Sequence, residues 1–303
     1  MGVLLHMKSG VIIINKEEGM SSFAAVSRVR RLLGAKKAGH TGTLDPMATG
    51  VLPVLIERGV KASEYMLTAD KHYSATLLLG VTTDTEDITG TVTEKCDRIP
   101  TEKEVFEAIN SMQGVSMQTP PMYSAIKVGG KKLYDIARGG GEVEREPREI
   151  TVYSIAAEKL TDTEYKIDVH CSKGTYIRTL CADIGKALGV GGVMKTLVRT
   201  EASGFPISEA HTVSELEKMS EEERNALVYP VEYIFRNIRK IHLSPFFARL
   251  ARCGVEIYLK KANIEAEPTE RVALYDEGGF FALGEVREFE SGNAIKPIKQ
   301  FDL

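Results

Sequence analysis

Three absences narrow what this chain of 303 residues can be. It has only four cysteines and no Cys-x-x-Cys pair, which argues against a structural zinc site and against a fold stapled by disulfides. No apolar run approaches the ~20 residues that a membrane-spanning helix needs, and no signal-peptide pattern opens the chain. We therefore expect a cytoplasmic protein with reduced cysteines and no membrane partner.

A large charge imbalance is also lacking, because 39 lysines and arginines face 42 aspartates and glutamates, a formal net charge of −3. This balance argues against a partner held by bulk charge alone, such as non-specific DNA, but it leaves room for a local basic patch. The composition, 43% hydrophobic and 27% charged, is that of a globular protein. The length predicts about two domains.

A glycine-rich segment at residues 39–50 separates the first predicted elements. The β-branched run at 11–14 is typical of a buried strand, and apolar residues at helical spacing follow from Ser21 to Gly34. Residues 39–50 contain three glycines and one proline, which indicates a shaped loop. The apolar run at 51–56 then predicts another strand.

The rest of the chain alternates between strand-like and helix-like patterns. We expect strands at 71–79, 150–160, 164–172, 272–275, 280–283 and 294–298, and helices at 102–112, 175–188, 212–218 and 220–227. Residues 84–107 carry eight acids and three bases, most of which we interpret as a solvated face, without a metal role. The segment 119–149 is long, basic and interrupted by glycines, and such loops are usually functional or disordered.

Asp45 is the first candidate for chemistry, because it lies in the glycine-rich loop with Pro46 fixing the backbone after it. An aspartate in this setting can be a nucleophile, a base, a metal ligand or a turn former. A glycosidase would need a second positioned carboxylate, and no partner can be identified from the sequence. A phosphatase-type aspartate would need a second acid two residues on, where this chain has Met47.

Three further side chains could accompany Asp45. His40 shares its loop, Tyr73 lies on a predicted strand, and Arg178 lies near the start of a predicted helix, whose N-terminus would suit an anion. Each also has an ordinary structural interpretation, as a packing histidine, a sheet aromatic or a surface arginine. Arg178 could pair with an aspartate and hold it ionised.

Positive charge gathers in three separate clusters, although the chain as a whole is slightly acidic. They lie on the first predicted helix and the two lysines after it, in the segment 119–149, and in the segment 236–261, where seven bases accompany one acid. Tyr123 and Tyr134 interleave with the bases of the second cluster. The three clusters together could follow a folded RNA along its phosphates.

The segment 39–52 closely resembles the signature loop of the tRNA pseudouridine synthase B family. Further motifs occur in the family's order: Asn15-Lys16 with Gly19 and Ser21-Ser22, Lys71-x-Tyr73, the run 118–127 with Gly130 and Tyr134, and Gly174-Thr175-Tyr176-Ile177-Arg178. The resemblance is strong over about residues 10–235, and the C-terminal part resembles a short PUA-type RNA-binding domain. One departure is Glu17 after Lys16, where the family often has proline, which leaves open any role of Lys16 beyond packing.

The resemblance implies an α+β pseudouridine synthase fold, with a central mixed, mostly antiparallel sheet flanked by helices and a small β-rich PUA-like C-terminal domain. It divides the chain into a catalytic domain at 1–239, with a thumb insertion at about 120–148, and an RNA-binding domain at 240–303. The implied activity is isomerisation of uridine 55 in the T loop of tRNA, with no cofactor and no metal. Whether the carboxylate attacks C1′ or assists deprotonation at C2′ stays open.

The same resemblance implies roles for individual residues. Asp45 matches the catalytic aspartate, Tyr73 the tyrosine that stacks on the target base, and Arg178 the arginine paired with the carboxylate. Residues implied to line the RNA and uridine site are His40, Tyr73, Tyr176 and Leu197. Positions expected to support the site or to contact RNA are Lys16, Gly42, Thr43, Lys127, Lys131 and Lys132.

The implied partner is tRNA, bound by its T arm and, through the C-terminal domain, by its acceptor stem, with no DNA and no obligate protein partner. Two other functions stay open. A sister isomerase of the dyskerin type would work on guide-RNA complexes, but such enzymes usually carry a longer PUA region and basic tails, which this chain lacks. An RNA chaperone could share every binding residue, although Asp45, Tyr73 and Arg178 argue against that as the sole role.

Overall fold

The computed structural model describes residues 9–301 except 125 and 142. Its helices are α1 Ser22–Leu32, α2 Ser63–Leu67, α3 Glu102–Ser111, α4 Leu133–Arg138, α5 Ile177–Leu188, α6 Val213–Lys218, α7 Glu221–Ala226, α8 Val231–Ile234, α9 Pro245–Arg252 and α10 Leu259–Ala262. Its strands are β1 Gly10–Lys16, β2 Ala38–His40, β3 Thr49–Ile56, β4 Lys71–Leu79, β5 Val81–Thr83, β6 Val92–Lys95, β7 Gly114–Gln118, β8 Lys127–Val128, β9 Lys131–Lys132, β10 Arg148–Lys159, β11 Glu164–Cys171, β12 Gly192–Ala202, β13 Phe205–Pro206, β14 Tyr229–Pro230, β15 Arg239–His242, β16 Ile257–Tyr258, β17 Arg271–Asp276, β18 Gly279–Phe289 and β19 Gly292–Gln300. None of these helices has the length and apolar character needed to cross a membrane.

A ten-stranded sheet organises the larger part of the chain, in the order β14-β1-β3-β12-β4-β11-β10-β7, with β2 beside β3 and β13 beside β12. Its described pairings are antiparallel, except that β3 runs parallel to β12. Helices α1, α3 and α5 pack their apolar stripes against one face of this sheet. The predicted mixed, mostly antiparallel sheet flanked by helices is therefore confirmed.

Two kinds of strand in this sheet explain two kinds of sequence pattern. Strand β1 is apolar without alternation because both faces are covered: Ile12 and Ile14 pack in the core with α1, and Val11 and Ile13 pack on the opposite face. Strand β4 alternates strictly between buried and half-buried side chains, as its sequence predicts. Tyr73 consequently lies on the buried face.

The predicted helix boundaries are close to those observed. Helix α1 begins after Ser21, whose Oγ accepts a hydrogen bond from the Ala24 N–H at 3.1 Å. Helix α5 ends, as predicted, at Gly189, which takes the left-handed conformation with φ of 68°. It begins at Ile177, two residues later than predicted, because the backbone of Tyr176 stays extended.

Strand β12 lies at the centre of the sheet, yet the sequence analysis did not predict it. Lys195, Thr196 and Glu201 interrupt its apolar pattern, and two register shifts disturb its pairing with β4. Its contact with β3 requires a glycine, since a Cβ on Gly50 would lie 2.2 Å from the carbonyl oxygen of Arg199, and Gly50 has φ of 101°. The central sheet thus contains a strand that hydrophobic alternation does not reveal.

A second sheet of five strands, in the order β15-β17-β18-β19-β16, forms a β-rich C-terminal domain with its own apolar core. The strands predicted at 272–275, 280–283 and 294–298 are all present and extend further. The five-stranded sheet packs against the segment after α8 through the rings of Phe235, Phe280 and Phe301, whose centroids are 5.3–5.7 Å apart. We call these three rings the aromatic joint. The border at 239/240 stays a prediction.

Candidate active site

The loop that carries Asp45 is fastened to helix α1 by one serine. The Ser22 hydroxyl accepts a hydrogen bond from the Leu44 N–H at 2.8 Å and donates one to the Leu44 carbonyl at 2.9 Å. Ser22 is buried, so water does not compete for these bonds. The residue that precedes Asp45 therefore has a fixed backbone.

Lys16 fastens the other side of the loop. Its side chain is 0% exposed, and Nζ donates to the carbonyl oxygens of Glu17 at 2.9 Å, Met20 at 2.7 Å and Pro46 at 3.2 Å. Burial lowers its pKa to about 8. Lys16 thus ties the segment after β1 to the loop at Pro46, and the Glu17 carbonyl takes part although the residue is not proline.

Arg178 lies beside Asp45, with 3.0 Å between Nε and the carboxylate Oδ2. Its guanidinium is buried, and it also donates to the carbonyl oxygens of Tyr123 at 2.8 Å and Thr85 at 3.2 Å. These bonds tie the ion pair to the thumb segment and to the turn after β5. The arginine is therefore held in one orientation by several partners.

A second carboxylate, Asp87, lies behind Arg178, with 3.7 Å between its Oδ2 and Nη1 of the arginine. Asp87 is 5% exposed and accepts hydrogen bonds from Thr85 Oγ1, Thr89 N and Thr89 Oγ1. Asp87 is an exception to the solvated face predicted for most of residues 84–107. Its burial is tolerated because Oδ1 accepts these three hydrogen bonds and Oδ2 faces the cation of Arg178.

Burial is the largest influence on Asp45 and raises the pKa of its carboxyl above 3.8. The negative charge of Asp87 adds to the rise, whereas Arg178 and Lys16 oppose it. Arg178 lowers the pKa of Asp45, as expected of a cation that favours the carboxylate form. The net pKa is nevertheless raised, because the loss of water around Asp45 outweighs the ion pair.

Asp45 and Arg178 line a cleft of about 630 Å³. The cleft lies between the loop after β2, strands β4 and β12, the start of α5 and the thumb segment. The cleft is lined by the following residues with predicted roles: His40, Gly42, Thr43, Asp45, Tyr73, Tyr176, Arg178 and Leu197. Lys16 does not line it. Lys127, Lys131 and Lys132 lie in the hairpin of β8 and β9, and their side chains lie outside the described part of the chain.

Burial affects the titration of three aromatic side chains around the cleft. It raises the pKa of Tyr73 and of Tyr176, and it lowers the pKa of His40. Each of these shifts favours the neutral form of the ring. Tyr176 is further fixed by Gln118, which accepts from its N–H at 2.8 Å and donates to its carbonyl at 3.0 Å. The cleft wall is thus formed by neutral, oriented rings.

Arg199 is a residue of this site that the sequence analysis missed. It is 1% exposed, and it donates from Nε to the Val51 carbonyl at 2.7 Å and from Nη2 to the Gly42 carbonyl at 3.1 Å. It is also the cross-strand neighbour of Tyr73, and its positive charge opposes the rise in the pKa of that tyrosine. Arg199 therefore links the tyrosine to the loop that carries Asp45.

No motif marked Arg199 in the sequence, because its strand β12 was not predicted. The neighbouring Lys71 also lines the cleft, where burial lowers its pKa to about 8. It belonged to the Lys71-x-Tyr73 motif, so the motif did place it near the site. Its Nζ donates to the Ala69 carbonyl at 2.7 Å.

Comparison with known proteins covers the larger part of the chain. A family model described as TruB family pseudouridylate synthase (N terminal domain) matches residues 30–177, and one described as tRNA pseudouridylate synthase B C-terminal domain matches residues 178–236. Over nearly its whole length the fold is that of a chain in the crystal structure of a Cbf5-Nop10-Gar1 complex, with a TM-score of 0.73 and 25% identity over 99% of this chain and 87% of that chain.

Fold and site together define a pseudouridine synthase, an isomerase with one carboxylate at the centre of its cleft. Among curated proteins, the chain is 42% identical to tRNA pseudouridine synthase B of Alkaliphilus oremlandii, covering 92% of this chain and 93% of that protein. It is 41% identical to the protein of the same name from Clostridium perfringens, covering 96% and 98%. The chain belongs to the TruB family of pseudouridylate synthases.

Proposed function

We propose that this chain converts uridine 55 in the T loop of tRNA to pseudouridine. The observation that carries the proposal is the Asp45–Arg178 pair, at 3.0 Å, inside a cleft that also contains a buried tyrosine. The relatives named tRNA pseudouridine synthase B match the chain over nearly all of both lengths, which supports tRNA as the substrate. The proposed place of work is the cytoplasm.

The reaction breaks the N1–C1′ bond of the uridine, rotates the base within the cleft and joins C5 to C1′. The hydrogen on C5 is lost and N1 regains one, so product and substrate are isomers, and no hydride or water is consumed. Asp45 either attacks C1′ or removes the C2′ proton, and both routes need the carboxylate form that Arg178 favours. Tyr73 holds the detached base so that it cannot leave.

A single reacting acid suits this chemistry. A glycosidase needs a second carboxyl group to protonate a leaving group that departs. Asp87 also pairs with Arg178, but it is buried, accepts three hydrogen bonds at Oδ1 and does not line the cleft. It is therefore a partner of the arginine and not a proton donor to the base.

The uridine reaches Asp45 only when it is extruded from the RNA, which costs a few kcal/mol of unstacking. We propose that the thumb segment at about 120–148 offsets this cost by closing on the T arm, and that His40 occupies the gap left by the nucleotide. The remaining RNA would follow the exposed arginines of α1 and reach a PUA-like domain at 240–303, which would bind the acceptor stem. No protein partner is required by this arrangement.

The test uses a T-arm hairpin RNA and full-length tRNA made without modification. We expect the purified chain alone to form pseudouridine at position 55, and Asp45→Asn to form none while still binding the RNA. Formation by the Asn variant would refute the role of Asp45. Activity that appears only after a guide RNA is added would instead favour a guide-dependent sister enzyme.

A further inference from the structure

Phe23 is unusual because it is a large apolar side chain that is 78% exposed. It lies in the first turn of α1 and forms part of the cleft wall, together with the exposed Leu67. Scattered surface leucines are ordinary, but an aromatic ring left in water at the edge of a substrate cleft lacks a structural reason. Phe23 contributes little to the core, since the buried side of α1 is formed by Ala25, Val26 and Val29.

The position of Phe23 is fixed relative to the reacting carboxylate. The residue before it, Ser22, is the one that exchanges two hydrogen bonds with Leu44, and Leu44 precedes Asp45. The helix cap on Ser21 fixes the same turn. A ring mounted on this turn therefore keeps its distance from Asp45 whenever the loop is in place.

The charge further along the same helix also points to one kind of ligand. Arg30 and Arg31 lie about two helical turns after Phe23; both are exposed, and no carboxylate of the described residues pairs with them. An exposed ring on a helix that also carries unpaired arginines suits a nucleobase attached to phosphates, because stacking binds any base face and the cations bind the backbone. An apolar protein partner would not use the arginines.

We propose that Phe23 stacks on an unpaired nucleobase of the substrate RNA that neighbours the extruded uridine. This inference rests on the proposed function and names a positioning residue that holds the RNA in register. The ring would replace part of the stacking that the loop loses when the uridine leaves. Phe23 touches no reacting atom, so its contribution lies in binding and not in the chemical step.

The test compares Phe23→Ala and Phe23→Trp with the wild type on the T-arm hairpin. For the Ala variant, KM should rise about 5- to 150-fold, the range expected for loss of one base–aromatic stack, with kcat nearly unchanged. The Trp variant should restore KM. Ile99→Ala removes another exposed apolar side chain, 58% exposed and outside the cleft wall, and should change neither constant.

A spectroscopic measurement identifies the stacked base. The RNA carries 2-aminopurine at each unpaired T-loop position in turn and is bound to Asp45→Asn, with or without Phe23→Ala. Stacking predicts that one position is quenched only when Phe23 is present. An unchanged KM for Phe23→Ala, or a loss confined to kcat, would overturn the inference, whereas a wild-type chain that leaves the hairpin uridine unmodified would overturn the proposed function itself.

Discussion

Replacing Arg199 with methionine tests the link between the buried tyrosine and the catalytic loop. Methionine fills similar space but donates no hydrogen bond, so the carbonyls of Val51 and Gly42 lose their donors at 2.7 and 3.1 Å. A hydrogen bond from a charged donor contributes about 1.5–3 kcal/mol, so the two bonds predict a loss of about 3–6 kcal/mol in the free energy of unfolding. That is a large part of the stability of a typical domain, about 5–15 kcal/mol.

The function should suffer as well, because Tyr73 and the loop at Gly42 would no longer share a partner. A displacement of the groups around the substrate by about 1 Å costs about 100-fold in rate. We therefore expect kcat to fall by about this factor at temperatures where the variant is still folded. Urea denaturation measures the stability, and single-turnover assays at saturating RNA measure the rate.

Lys195→Met on the same strand is the matched control. Lys195 forms a partly exposed ion pair with Glu164, which contributes about 0–1 kcal/mol. The reasoning is refuted if Arg199→Met loses less stability than this control, or if it keeps the wild-type kcat. Either result would mean that the loop and Tyr73 are positioned without the guanidinium.

Two other predictions concern the same site. Because the proposed reaction needs ionised Asp45, and because burial and Asp87 both raise the pKa of that carboxyl, kcat/KM should fall as the pH drops through this pKa. Asp87→Asn removes one negative charge, so the acid limb of the pH–rate profile should move to lower pH, and a limb that does not move would contradict the coupling. Gly50→Ala would place a Cβ 2.2 Å from the Arg199 carbonyl at φ of 101°. It should therefore lower the free energy of unfolding by about 2–6 kcal/mol in urea titrations, and a fully stable variant would show that β3 and β12 can separate.

Periodicity predicted the elements whose burial follows simple rules. Strand β4 has one buried face, and α1 has one apolar stripe that ends near Gly34. Their hydrophobic patterns therefore predict a strand and a helix without a structure. The family resemblance supplied the identity of the loop at Asp45, and the family is confirmed. In these cases each side chain's polarity agrees with its burial.

Arg199 and Asp87 were missed for the opposite reason. Both are charged and almost fully buried, and each is satisfied by groups distant in sequence or by its own turn. Charge predicts a surface position unless the partners are known, and the partners are known only after folding. The residues that position the reacting pair are therefore those that local sequence rules assign to solvent.

Lys16 shows how a departure from a family pattern can be neutral. Its ammonium binds backbone carbonyls, and a carbonyl is present whichever side chain follows the lysine. Glu17 is in turn free to accept a hydrogen bond from Ser214 Oγ at 2.5 Å on α6. The contacts of Lys16 therefore depend on the main chain and not on the side chain at position 17.

The aromatic joint limits movement between the C-terminal domain and the rest of the chain. Domains within one chain usually shift relative to each other unless their contact is large and apolar. Here Phe280 and Phe301 of the C-terminal domain pack on Phe235, which follows α8, and Lys299 pairs with Glu64 of α2 at 2.7 Å. The C-terminal sheet is therefore attached to the larger domain by an apolar contact and an ion pair in addition to the covalent link of the chain.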